Sequence, residues 1–121
     1  MIASFRNDDN STDTDLDKAY HILSNQRRRY IIKALMHKPK MDKRELRELV
    51  TEKEVGKPFA QIQQDSRQCV RVALLQVHFP KMQDYGIIEI DRNVVTRGPN
   101  FEETVALLPS DSLSEKFKDL F

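Results

Sequence analysis

The side chains with the most recognisable chemistry in this chain are amides and guanidiniums. Gln64, Arg67, Gln68, Arg71 and Gln76 crowd into one short stretch, with Lys43, Arg44 and Arg47 before it and Arg92 after it. A glutamine offers a donor beside an acceptor and an arginine offers paired donors. Both types match the edges of bases in a nucleic-acid groove. Lysines and arginines also neutralise phosphates, a sequence-independent attraction that weakens as salt rises. The competing reading of each residue is a solvated surface side chain.

Bond-making chemistry has little support. His21, His37 and His78 are scattered and Cys69 is the only cysteine, so no spacing suits zinc and no internal disulfide can form. Gly56, Gly86 and Gly98 are the only glycines and make no phosphate-binding loop. No Ser/His/Asp arrangement follows from spacing. The chain reads as a non-enzyme without metal or cofactor. His78 is expected to be packed or capping, and Cys69 to be a small core hydrophobe rather than a redox sensor.

The bulk properties fit a binding module. The 121 residues suffice for one domain, with 32% charged and 39% hydrophobic side chains. No apolar run approaches the roughly 20 residues of a membrane span. Residues 1–10 lack the basic and apolar regions of a signal peptide, so a cytoplasmic location is expected. The net charge is only +1, yet residues 20–57 hold 11 basic and 5 acidic groups while residues 82–121 hold 4 and 8. A basic centre between acidic ends fits a polyanion-binding face.

The elements that must position these side chains centre on residues 70–90. Leu75, Phe79 and Met82 have helical spacing, Gly86 suits a left-handed helix end, and Ile87, Ile88 and Ile90 then read as a strand. The turn Asp91-Arg92-Asn93 leads to a second strand, Val94-Val95-Thr96, and Gly98-Pro99 closes the hairpin.

Upstream, residues 1–14 read as a flexible tail. Thr14 or Asp15 caps a first helix to about Leu23, with Leu16, Ala19, Tyr20 and Leu23 on one face. Ser24 or Asn25 caps a second helix that buries Ile31, Ile32 and Leu35 and ends before Pro39. Met41-Asp42 is a short link with a possible strand residue. Asp42 caps a third helix to about Glu54, with Leu46, Leu49 and Val50 inward and Lys43, Arg44 and Arg47 outward. Phe59 to Gln64 is loop or helical turn, and a long helix starts at Asp65 or Ser66. After the hairpin, Asn100 caps a short helix with Phe101, Val105 and Leu108. A last helix, Asp111 to Leu120, carries Leu113, Phe117 and Leu120 in a stripe.

This order resembles a winged helix-turn-helix. Leu23-Ser24-Asn25, then Arg27-Arg28-Arg29 and an Ile-Ile helix, resembles the opening of ArsR-like regulators, with Arg28 where that pattern carries its arginine. His78-Phe79-Pro80-Lys81-Met82 before Gly86-Ile87-Ile88-Glu89 resembles the ending of such domains. The two motifs together are closest to an uncharacterised winged-helix family of halophilic archaea and their mobile elements, over about residues 16 to 97. The near-neutral charge departs from the acidic proteins of salt-accumulating archaea. The resemblance implies a DNA-binding regulator.

A wheel at about 100° per residue adds a complication. With Leu75 in the core, Val72, Phe79 and Met82 lie beside it, while Cys69, Val70, Ala73 and Val77 form a second apolar stripe opposite. Either the chain's own C-terminal helix or a partner subunit must cover that stripe. A symmetric homodimer is the favoured solution, its interface being Cys69, Val70, Ala73, Val77, Leu113, Phe117 and Leu120.

The expectation is therefore a mainly α fold with a small β-hairpin, in three parts. Residues 1–14 are a tail, 15–98 a winged helix-turn-helix, and 99–121 a helical extension for dimerisation. The expected function is sequence-specific binding of double-stranded DNA in transcription regulation. The alternative is a winged-helix protein-interaction module without direct DNA readout.

Overall fold

Short polar side chains start the two central helices. Asn25, in extended backbone, accepts hydrogen bonds from the N–H groups of Arg27 and Arg28 at 2.9 and 3.3 Å and opens α2, Gln26–His37. Asp42 accepts from the Arg44 N–H at 2.9 Å and opens α3, Lys43–Val55. The computed structural model describes residues 15–108. The predicted tail and the predicted last helix, with Leu113, Phe117 and Leu120, lie outside these residues.

The described chain is mainly helical with one small antiparallel sheet. Helix α1 spans Asp15–Leu23, and a three-residue strand β1, Lys40–Asp42, precedes α3. A 3-10 turn at Phe59–Gln61 resolves the ambiguous segment and leads to α4, Gln64–Ala73. A π-helical turn, Leu74–His78, passes into α5, Phe79–Asp84. Strands β2, Ile88–Asp91, and β3, Val94–Arg97, form the hairpin, and α6 is Phe101–Val105. The sheet order is β1-β3-β2. Met41 and Ile90 both pair with Val95 in its central row, and Val95 and Met41 are buried.

The core lies between these helices and the sheet. Ile22, Ile31, Ile32, Leu35, Leu46, Leu74, Met82, Ile87 and Ile88 are fully buried in it. Helix α1 turns a different face inward from the one expected. Ala19, Ile22 and Leu23 are buried, whereas Leu16 and Tyr20 are each 52% exposed. The expected stripe of Leu16, Ala19, Tyr20 and Leu23 leaves out Ile22, which is fully buried.

The long helix is interrupted, and this exchanges two residues, Val70 and Val72, between its predicted faces. Pro80 has no N–H and its ring crowds the carbonyl of Gln76 four residues earlier. The backbone answers with a wider turn just before it, in which the Phe79 N–H bonds to the Leu74 carbonyl. The wide turn inserts in effect one residue between the face of Phe79 and Met82 and the face above it. The core stripe continues as Leu74 and Val70 rather than Leu75 and Val72. Val70 is 1% exposed and belongs to the molecule's own core, so it is not part of a subunit seam. Val72 is turned outward, Leu75 and Ala73 are half-buried, and Cys69 is exposed rather than a core hydrophobe.

The end of α5 is held by close backbone packing. Gly86 has a φ of 75° and its carbonyl accepts from the Asn100 N–H at 2.8 Å. Gly98 donates to the Ile87 carbonyl at 2.8 Å, and a Cβ on Gly98 would sit 2.4 Å from the Gly86 oxygen. Only glycine lets the strand return this near the helix end. Asn100 donates its amide to the Tyr85 carbonyl rather than capping α6.

Candidate nucleic-acid interface

Charge alone does not define the basic surface, because several arginines are spent inside the fold. Arg28 donates to the carbonyls of Ile22 and His21 at 3.0 and 3.2 Å, and Arg29 to that of Leu23 at 2.6 Å. Both close the C-terminal end of α1, where orphan carbonyls favour a cation. Arg29 also bonds the side chain of Gln26. Arg27 pairs with Glu54 across α2 and α3. Arg97 reaches from β3 to the Leu35 and Met36 carbonyls at the end of α2, both at 2.8 Å. The arginine-rich motif is thus structural, and so is its histidine counterpart. His78 is buried, its Nδ1 has no hydrogen-bond partner among the described residues, and its pKa is lowered to about 4, chiefly by burial and then by Arg28 and Arg27.

Arg67 also belongs to the framework. Its guanidinium lies 4.4 Å above the Phe59 ring and donates to the carbonyls of Phe59 and Ile62, both at 2.9 Å. The Phe59 N–H in turn donates to the Glu52 carboxylate at 2.7 Å. Glu52, Phe59 and Arg67 together fix how α4 leaves α3. Neither the carbonyl partners nor the ring contact has a sequence pattern. The nearest signal was an aromatic residue directly after Pro58.

The remaining predicted residues come together in space. Gln64, Gln68 and Arg71 lie one helical turn apart on α4 and line a cleft with Arg44 and Arg47 of α3. Glu48 lines the same cleft and approaches Arg44 at 3.8 Å. An adjoining groove carries Lys43, Arg44, Arg47 and Arg71 on to Leu75 and Asn93. Asn93 closes this path, since its carbonyl accepts from the Lys43 N–H at 2.7 Å and ties the hairpin turn to the start of α3. Arg92 is exposed at that turn with a φ of 59°. Among the described residues, no hydrogen bond or ion pair engages the side chains of Arg47, Arg71 or Arg92. Asp42, the acidic residue nearest Lys43 in the chain, is occupied as the cap of α3. Gln76 is exposed on α4's continuation but lines neither cleft. Of the proposed seam, Val77 is 50% exposed and Ala73 half-buried.

A family model described as a domain of unknown function, DUF7344, matches residues 20–96. The chain belongs to the DUF7344 family. The matched region runs from within α1 to β3, so the DUF7344 domain contains both motifs and the whole basic surface. No curated protein and no solved structure matches the chain. No helix among its described residues is long and apolar enough to cross a membrane.

Proposed function

We propose that this DUF7344 protein is a winged helix-turn-helix that binds double-stranded DNA and regulates transcription. In this reading α3 and α4 are the helix-turn-helix pair and the β2–β3 hairpin is the wing. The observation that carries it is the run of Arg71, Arg47, Arg44 and Lys43 from α4 to the hairpin bearing Arg92, which outnumbers the carboxylates of Glu48 and Asp42 in the same two clefts. Helix α4 enters the major groove with Gln64, Gln68 and Arg71 toward base edges. Arg44, Arg47 and Lys43 meet phosphates, and Arg92 reaches the flanking minor groove. A gel shift with unrelated duplex DNA at low and high salt tests this. Binding that collapses with salt supports the proposal, and no binding at any salt contradicts it.

The protein acts as a homodimer in this reading, as suits a two-fold operator. The exposed Leu16, Tyr20 and Val77 support it, and they also favour a second reading as a protein-interaction module. A sedimentation mass of one chain at micromolar concentration rejects the dimer.

A further inference from the structure

The outermost ridge of α4 is not uniformly polar. The core face of this helix is set by Val70 and Leu74, both buried. Val72 lies about 200° from Val70 at about 100° per residue, so it points directly away from the core. It is 36% exposed, next to Arg71 and one turn beyond the exposed Gln68. Cys69, also exposed, lies one turn before it beside Arg27. A β-branched side chain at the crest of a ten-residue helix gains nothing from solvent exposure and is a poorer helix former than alanine. Pro80 and its wide turn are what bring Val72, rather than Val70, to this crest.

We infer that Val72 is a specificity residue that packs on the C5-methyl group of thymine in the major groove, with Gln68 hydrogen-bonding an adenine edge one turn away. The thymine methyl is the one apolar group that a base pair presents in that groove, and a glutamine amide matches the N6/N7 edge of adenine. The preferred sites therefore contain A·T pairs opposite the middle of α4. Arg67 does not contribute to this readout, because its guanidinium is held by Phe59 and Ile62. The inference rests on the duplex-binding proposal, and its test separates the two.

Sites are selected from a random-sequence duplex library with the wild-type protein. The best-bound sequence is then made with thymine and with uracil, which lacks only the methyl group. Wild type is expected to bind the uracil form about fourfold more weakly for each thymine methyl that Val72 covers, the equivalent of about 0.8 kcal/mol per buried methyl-sized group. Val72→Ala, at an exposed helical position that tolerates alanine, is expected to bind both forms equally. Gln68→Ala is expected to relax the preference at an adenine. Equal affinity of wild type for the two forms overturns the inference while leaving duplex binding intact. So does a difference that persists in Val72→Ala, or duplex binding without any enrichment. Failure to bind any duplex overturns both proposals.

Discussion

Arg27 and Glu54 meet through two parallel hydrogen bonds, Nε to Oε1 at 2.7 Å and Nη2 to Oε2 at 2.8 Å, which join the start of α2 to the end of α3. The hydrogen bond from Arg27 holds the Glu54 carboxyl below its usual range despite partial burial, and the Arg27 pKa is raised by the same bond. Because both side chains are partly exposed, solvent screening limits the pair to about 0.5–1 kcal/mol. A double-mutant cycle of Arg27→Ala and Glu54→Ala by urea denaturation is expected to return a coupling of that size. Glu54 contributes its share at pH values above its unfolded pKa of 4.5 and loses it as pH falls through the lower folded value.

His78 gives a second pH dependence in a higher window. Unfolded, it takes a proton near pH 6.5; folded, only near 4. The unfolded state therefore binds more protons between those values, and the fold loses stability as pH drops from about 6.5 toward 4. The loss approaches roughly 3 kcal/mol at the lower limit, at 1.36 kcal/mol per pKa unit. Above pH 6.5 the residue is neutral in both states and the effect vanishes. His78→Leu removes a buried nitrogen that has no partner among the described residues and is expected to flatten this part of the stability–pH curve.

Arg92 occupies left-handed backbone that an arginine adopts at a cost of about 1 kcal/mol. Arg92→Gly is expected to raise stability by about 0.5–1 kcal/mol and to weaken duplex binding. The two effects have opposite signs, so thermal melts and anisotropy titrations on the same variant separate them. A variant that is stabilised with unchanged affinity removes the hairpin turn from the proposed interface.

The parts of this fold set by local rules were legible in the sequence. Asn25 and Asp42 act as caps where a short polar residue precedes a helical stripe, and Gly86 followed by Ile87, Ile88 and Ile90 marked the passage from helix to hairpin. The assignment of faces on the long helix failed at Pro80. A constant 100° step cannot anticipate a π-helical turn, so Val70 and Val72 exchanged places. A proline deep inside a helical pattern was the available warning. The basic cluster at Lys43, Arg44, Arg47, Gln64, Gln68 and Arg71 was readable because helical spacing sets its faces. Arg67 was indistinguishable from its neighbours, since its partners are backbone carbonyls and a ring brought close only by the 3-10 turn. The excess positive charge of residues 20–57 was overread for the same reason, Arg27, Arg28 and Arg29 being engaged by internal partners.

The arginines of α4 then sort by role. Arg67→Ala removes two hydrogen bonds and a ring contact and is expected to destabilise the fold by about 1–3 kcal/mol. Arg71→Ala removes no hydrogen bond or ion pair among the described residues and is expected to leave the melting temperature within about a degree or two while lowering duplex affinity.

The salt dependence of duplex binding tests the central claim most directly. Titrations of wild type and of Arg47→Ala/Arg71→Ala with a short duplex, across a range of salt concentrations, give the slope of log K against log salt. Each phosphate contact contributes about −0.9 to that slope. A steep wild-type slope that becomes shallower by about 1–2 in the double variant, with its fold intact, is the predicted result. A slope unchanged by the two substitutions, or no binding at the lowest salt, contradicts it.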